Sequence, residues 1–119
     1  MAVSYRCIWD AALRFPGVSE SICYGTPALF VGKKLLARLL ENGETLMLKV
    51  PLDQRGQYLE DGMNTFFITS HYHNYPGLLI DLPSVRWDAL APMLENAWRM
   101  VAPRKLIAAY EAAQSGAPG

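Results

Sequence analysis

The chain alternates between two hydrophobic periods, and the switches between them mark its elements. From Tyr5 to Phe15, the residues Ile8, Ala11, Ala12 and Phe15 form the stripe of an amphipathic helix. Ser4 stands where an N-cap belongs, and Pro16-Gly17 stops the run. Val18–Pro27, rich in Ser, Gly and Pro, reads as a connection. The period then becomes two. Ala28–Val31 predicts a short strand and Gly32-Lys33 a turn. Lys34–Leu40 and Thr45–Val50 predict two strands around Glu41-Asn42-Gly43-Glu44. Asn-Gly between apolar runs marks a type I′ hairpin, which needs positive φ at both central residues. The register that follows sets Arg38 opposite Met47, Leu36 opposite Lys49 and Leu35 opposite Val50. Leu35, Ala37 and Leu39 then share a buried face with Leu46, Leu48 and Val50. Lys34, Leu36, Arg38, Leu40, Thr45, Met47 and Lys49 fall on the other side. That side reads either as a solvated outer face or as a contact face whose aliphatics pack and whose cations steer.

Pro51 ends the third strand, and Asp53–Glu60 predicts a short helix closed by Asp61-Gly62, with Tyr58 and Leu59 turned to the core. Within the stretch Asn64–Leu82, Thr65–Thr69 and Leu78–Leu82 predict two strands flanking the loop Ser70–Gly77. That loop holds His71, His73, Tyr72 and Tyr75, a density of rings unusual where small polar residues are the rule. Leu90, Met93, Leu94, Ala97, Trp98 and Val101 give Trp87–Val101 a core-facing helix, with Pro92 near its first turn. Pro103 opens a last helix, Arg104–Ala112, that buries Leu106, Ile107 and Tyr110; residues 113–119 read as a frayed tail. This order predicts an α+β domain of two layers: a mainly antiparallel sheet of about five strands with helices on one face.

Composition changes this picture only slightly. A chain of 119 residues with 51% apolar and 18% charged positions is one ordinary globular domain. Its 11 basic and 11 acidic residues cancel, which argues against a strongly basic nucleic-acid binder but leaves a local basic patch open. No apolar run suits a signal peptide or a membrane span, so the expectation is a cytoplasmic protein without a membrane partner. Cys7 and Cys23 lack C-x-x-C spacing and are expected as free thiols, Cys7 on an apolar helix face.

Candidate chemistry is sparse. His71 and His73 form an H-x-H, but a stable metal site needs a third ligand, and neither Asp81 nor Cys23 has a spacing that recommends it. Neither a nucleophile motif nor a Gly-rich phosphate loop is present, and Asp53 and Glu60 read as solvated surface. No catalytic residue, metal or cofactor is therefore expected, and the chain does not read as an enzyme. Arg104-Lys105, two cations in a helix's first turn, oppose the macrodipole and suggest an anion site, unless both simply point into water.

Four segments resemble the MmcQ/YjbR family of small bacterial α+β proteins. They are F-P-G-V at Phe15–Val18 with Y-G-T-P-A-L-F at Tyr24–Phe30, G-K-K-L-L-A-R-L at Gly32–Leu39, F-F-I-T-S-H-Y-H-N-Y-P at Phe66–Pro76, and A-W-R-M-V-A-P-R-K-L at Ala97–Leu106. The resemblance implies a fold with paired hairpin wings, similar to secretion-chaperone-like domains, and a cytoplasmic protein of a kind commonly labelled DNA-binding. It implies no active site. Gly77 departs from the family, where a larger residue often follows the loop, and this argues against a fixed packing partner at the loop's end. On the DNA reading, Lys33, Lys34, Arg38 and Lys49 meet phosphates while Tyr72 or Tyr75 stacks near bases. On the alternative, Leu36, Leu40 and Met47 anchor a protein or peptide partner, a homodimer included.

Overall fold

The computed structural model describes residues 3–59 and 65–115. The elements run α1 (Tyr5–Ala12), β1 (Val18–Cys23), β2 (Thr26–Val31), β3 (Lys34–Leu39), β4 (Thr45–Lys49), α2 (Leu52–Leu59), β5 (Phe66–Phe67), β6 (Gly77–Asp81), α3 (Trp87–Val101) and α4 (Arg104–Ser115). A turn of 3-10 helix, Ser70–Tyr72, lies between β5 and β6. Among the described residues the strands form one antiparallel sheet in the order β1-β2-β3-β4-β6-β5. The α+β class holds, with six strands where about five were expected.

The additional strand is β1. Val18–Cys23, expected as a connection, pairs with β2 from Val18↔Val31 to Cys23↔Thr26. It is an edge strand exposed along most of its length, so nothing imposes an apolar alternation on it. Its turn is Tyr24-Gly25, with φ of 51° and 80°, the pair of positive values that a type I′ hairpin requires. At Asn42-Gly43 only Gly43 is positive, so the expected type I′ turn is not formed there. The Gly43 N–H instead donates to the Leu40 carbonyl (2.9 Å), and the Asn42 side chain accepts from the N–H groups of Glu44 and Thr45. Both turn forms close the same register, and Arg38 does face Met47.

A β-bulge overturns the expected division of faces. Leu29 pairs with Ala37, but Phe30 pairs with Leu35, which leaves Leu36 as the extra residue of β3. Leu36 and Ala37 therefore both enter the core, Leu36 at 1% exposure, and the phase before them reverses. Leu35 leaves on the face opposite the core. Lys34, opposite Val31, shares the core side with it and does not join Arg38. Strict alternation cannot anticipate this, because a bulge breaks the period of two on which it rests.

The helices cover the core face. Ser4 Oγ accepts the Cys7 N–H (3.3 Å) at the start of α1, which buries Ile8, Trp9 and Ala12. Cys7 itself is exposed, contrary to expectation, and both cysteines are free thiols. α1 ends at Ala12, so Phe15 lies beyond it, stacked on Trp98 at 5.2 Å. Trp98 Nε1 donates to the Pro16 carbonyl (2.9 Å) and so pins the entry into β1. α3 has the expected bounds and stripe, but Pro92 falls in its second turn and removes a helical hydrogen bond there. α4 continues to Ser115, which makes residues 113–115 helical; the rest of the expected tail lies outside the described residues. Leu106, Ile107 and Tyr110 are half-buried against the core.

Between α3 and α4, Arg99 donates to Glu95 (2.9 Å) and to Glu111 (2.8 Å), and the Tyr110 hydroxyl donates to Glu95 (3.4 Å). Burial first, and the Glu95 carboxylate second, hold the Tyr110 phenol above its ordinary value. Tyr58 and Leu59 of α2 pack on the core as expected, and Asp53 is exposed. Glu60, Asp61, Gly62 and Asn64 lie outside the described residues. β5 is shorter than expected, just Phe66–Phe67, while β6 extends the second predicted strand back to Gly77.

Candidate functional site

The other face of the sheet is not simply solvated. Leu35, Arg38 and Leu40 from β3 and its end, together with Met47 from β4, form the floor of a cleft of about 780 Å³. The β1–β2 turn, through Cys23 and Tyr24, forms one wall. The 3-10 turn and the segment after it form the other, through His71, Tyr72 and Tyr75. The volume falls within the ~300–1,000 Å³ usual for ligand sites. Met47 is buried although it faces away from the helices, because the loop folds over it.

One side chain holds that loop in place. Arg55 of α2 is buried, and it makes no ion pair among the described residues. Its Nη1 donates to the carbonyls of Tyr72 (2.9 Å), Tyr75 (2.9 Å) and Gly77 (3.1 Å), and its Nη2 donates to that of His73 (2.8 Å). Four carbonyl dipoles thus replace water around the guanidinium, whose rigid fork can reach several acceptors at once. Gly77 completes the closure. A Cβ there would lie 2.8 Å from the Met47 sulfur and 3.1 Å from the Tyr75 ring. The loop's end is therefore tightly packed, against the expectation drawn from its small residue.

Cations and rings interleave along the cleft. Lys49 Nζ lies 4.4 Å from the Tyr75 ring centroid, and the Arg38 guanidinium lies 5.3 Å from that of Tyr24. Arg38 is 8% exposed; its Nη2 donates to Glu41 (2.7 Å) and its Nε to the Cys23 carbonyl (3.2 Å). Tyr72 meets Tyr75 edge-on at 5.8 Å and His71 at 4.9 Å. Tyr24, by contrast, is 87% exposed.

Of the candidate site residues, the structure brings Arg38, His71, Tyr72 and Tyr75 into the cleft lining and sets Lys49 beside it on the Tyr75 ring. Lys33 sits exposed in the β2–β3 turn and Lys34 on the core side of the sheet's end. Arg104 and Lys105 are exposed in the first turn of α4 and make no ion pair among the described residues. Of the proposed anchors, Leu40 and Met47 line the cleft, but Leu36 is in the core and Leu35 takes its place. His73 is exposed and contributes a carbonyl to Arg55. Among the described residues no group of three or more His, Cys, Asp or Glu is arranged to hold a metal ion, and no helix is long and apolar enough to cross a membrane. Sequence reasoning missed Tyr24, Glu41 and Arg55. Tyr24 had a signal, since a residue before Gly between two β-capable runs marks a hairpin turn. Arg55 had none, because its partners are backbone carbonyls.

A two-layer α+β domain with helices on one face of an antiparallel sheet and an open, ring-lined cleft on the other is a scaffold suited to binding. The chain belongs to the YjbR family, whose model matches residues 13–100. No curated protein and no solved structure matches it.

Proposed function

We propose that this chain is a non-enzymatic DNA-binding protein that engages DNA through the cleft face of its sheet. The observation that carries the reading is the alternation of cations and rings on that face, Lys49 on Tyr75 and Arg38 on Tyr24. Lys49 is the cation free to meet a phosphate, since it makes no ion pair among the described residues; Arg38 shares its charge with Glu41. Lys33 extends the positive edge at the β2–β3 turn. Few phosphate contacts and zero net charge predict weak binding with a shallow salt dependence. The test is fluorescence anisotropy of labelled DNA at several salt concentrations, with Lys49→Glu alongside. Binding in the micromolar range that weakens with salt and in the variant supports the reading. Absence of binding at low salt, with protein at roughly 100 μM, the weak limit of non-specific association, refutes it.

A second reading is a protein- or peptide-binding module. The apolar floor of Leu35, Leu40 and Met47 favours it. It predicts either a concentration-dependent mass by sedimentation or a partner whose binding ignores salt.

A further inference from the structure

Tyr24 is costly where it stands. It is the one residue other than glycine with positive φ among the described residues, at 51°, a conformation that a bulky side chain adopts at a penalty of about 1–2 kcal/mol. The residue is 87% exposed, so burial returns almost nothing to the fold. An Asn-Gly pair would form the same type I′ turn without that penalty. What the ring does is close one wall of the cleft opposite Tyr72 and Tyr75, above the guanidinium of Arg38.

We infer that the cleft takes an unpaired nucleobase, stacked on Tyr24, so that this protein binds single-stranded DNA or an extruded nucleotide in preference to intact duplex. The inference rests on the DNA-binding reading above and narrows its ligand. Three observations point the same way. The rings lie in a concavity, and a base inside a duplex reaches such a site only after leaving its stack. The cations that accompany them are few, whereas duplex binding depends on many phosphate contacts. The cleft lining pairs a donor with an acceptor: Arg38 Nη1 and Glu41 Oε2 make no hydrogen bond among the described residues, and together they suit the mixed edge of a base. A cleft of about 780 Å³ leaves room for a base and its sugar. Stacking of this kind tolerates any base, so the preference is for strandedness before sequence.

The experiment compares four labelled probes of one length by anisotropy, using the whole chain: duplex, single strand, duplex with one unpaired nucleotide, and a single strand carrying abasic sites. The variants are Tyr24→Ala, Tyr24→Phe and Tyr24→Asn, the last chosen because it suits the turn and keeps the fold. The single strand and the unpaired-nucleotide duplex bind at least about tenfold tighter than intact duplex or abasic strand. Tyr24→Ala and Tyr24→Asn each weaken them about 5- to 150-fold, the worth of one stacked base, and Tyr24→Phe does not. With Lys49 and Lys33 as the phosphate contacts, the log–log salt slope on single strand is about −1.4. Equal affinity for duplex and single strand, or indifference to Tyr24 where Lys49→Glu weakens both, overturns the inference and leaves the DNA reading standing. Failure of every probe overturns both.

Discussion

Replacing Arg55 by Met tests how the cleft is built. The substitution keeps an unbranched apolar stem, two atoms shorter than arginine, and removes four donated hydrogen bonds, to the carbonyls of Tyr72, His73, Tyr75 and Gly77. Hydrogen bonds from a charged donor are worth about 1.5–3 kcal/mol each, yet their sum overstates the effect. Removing the guanidinium also removes its own desolvation cost, several kcal/mol for a buried ion. The three loop carbonyls sit at partly buried contacts and can turn to water. The contact to the Gly77 carbonyl is buried. Left unpaired, that carbonyl costs about 1–3 kcal/mol, and loss of the loop's other anchors adds about 1. Arg55→Met is therefore expected to destabilise the fold by about 2–4 kcal/mol. Urea denaturation would read this as a midpoint lowered by about 1–2 M, for an m of about 2 kcal/mol/M. Arg55→Lys, a point charge without the fork, should fall between. Hydrogen exchange of the amides in the loop should rise in step with the loss. A loss under about 0.5 kcal/mol, with loop exchange unchanged, would refute the view that this one side chain ties the ring-bearing wall to α2.

Three further outcomes follow from local geometry. Gly77→Ala should cost about 1–3 kcal/mol by thermal or urea unfolding, since its methyl meets the Met47 sulfur and the Tyr75 ring; in a Met47→Ala background the same change should cost less. Asn42→Ala removes two accepted backbone hydrogen bonds and one donated to Thr45 Oγ1, and should cost about 1–2 kcal/mol, whereas Asn42→Asp keeps the acceptor and should cost less. Tyr110 favours its neutral form when folded, so its contribution is fully present below the unfolded value near pH 10 and is lost as pH rises through its raised folded value. Unfolding measured above about pH 9 should therefore show stability falling with pH, and Tyr110→Phe should remove that part of the slope.

The parts of the fold that could be read in the sequence are those where burial imposes a period. α1 and α3 each press one stripe on the sheet, so Ile8, Ala12, Leu90, Leu94 and Val101 return on schedule. The Arg38–Met47 register was readable from Asn42-Gly43 even though its turn type was not, because turn length fixes the pairing whichever dihedrals close it. β1 was hidden because an exposed edge strand owes nothing to a core, and its Ser and Glu residues look like a loop. Half of the candidate site was visible as the ring-rich loop. The other half, Tyr24, lay in the supposed connection, and Arg55, which holds the first half in place, acts on groups that every residue carries.

The bulge at Leu36 also makes β3 unequal in its tolerance of lost residues. Removing one residue from the middle of a regular strand turns everything on one side of the cut inside out, exchanging its two faces. Leu36 has no partner across β2, and its neighbours are already paired as though it were absent. Its deletion would leave Leu35 on the cleft side and Ala37 on the core side, at the cost of one core side chain and the bend. Within the β2–β3 ladder, position 36 is thus where related chains can differ in length by one residue while keeping the same cleft.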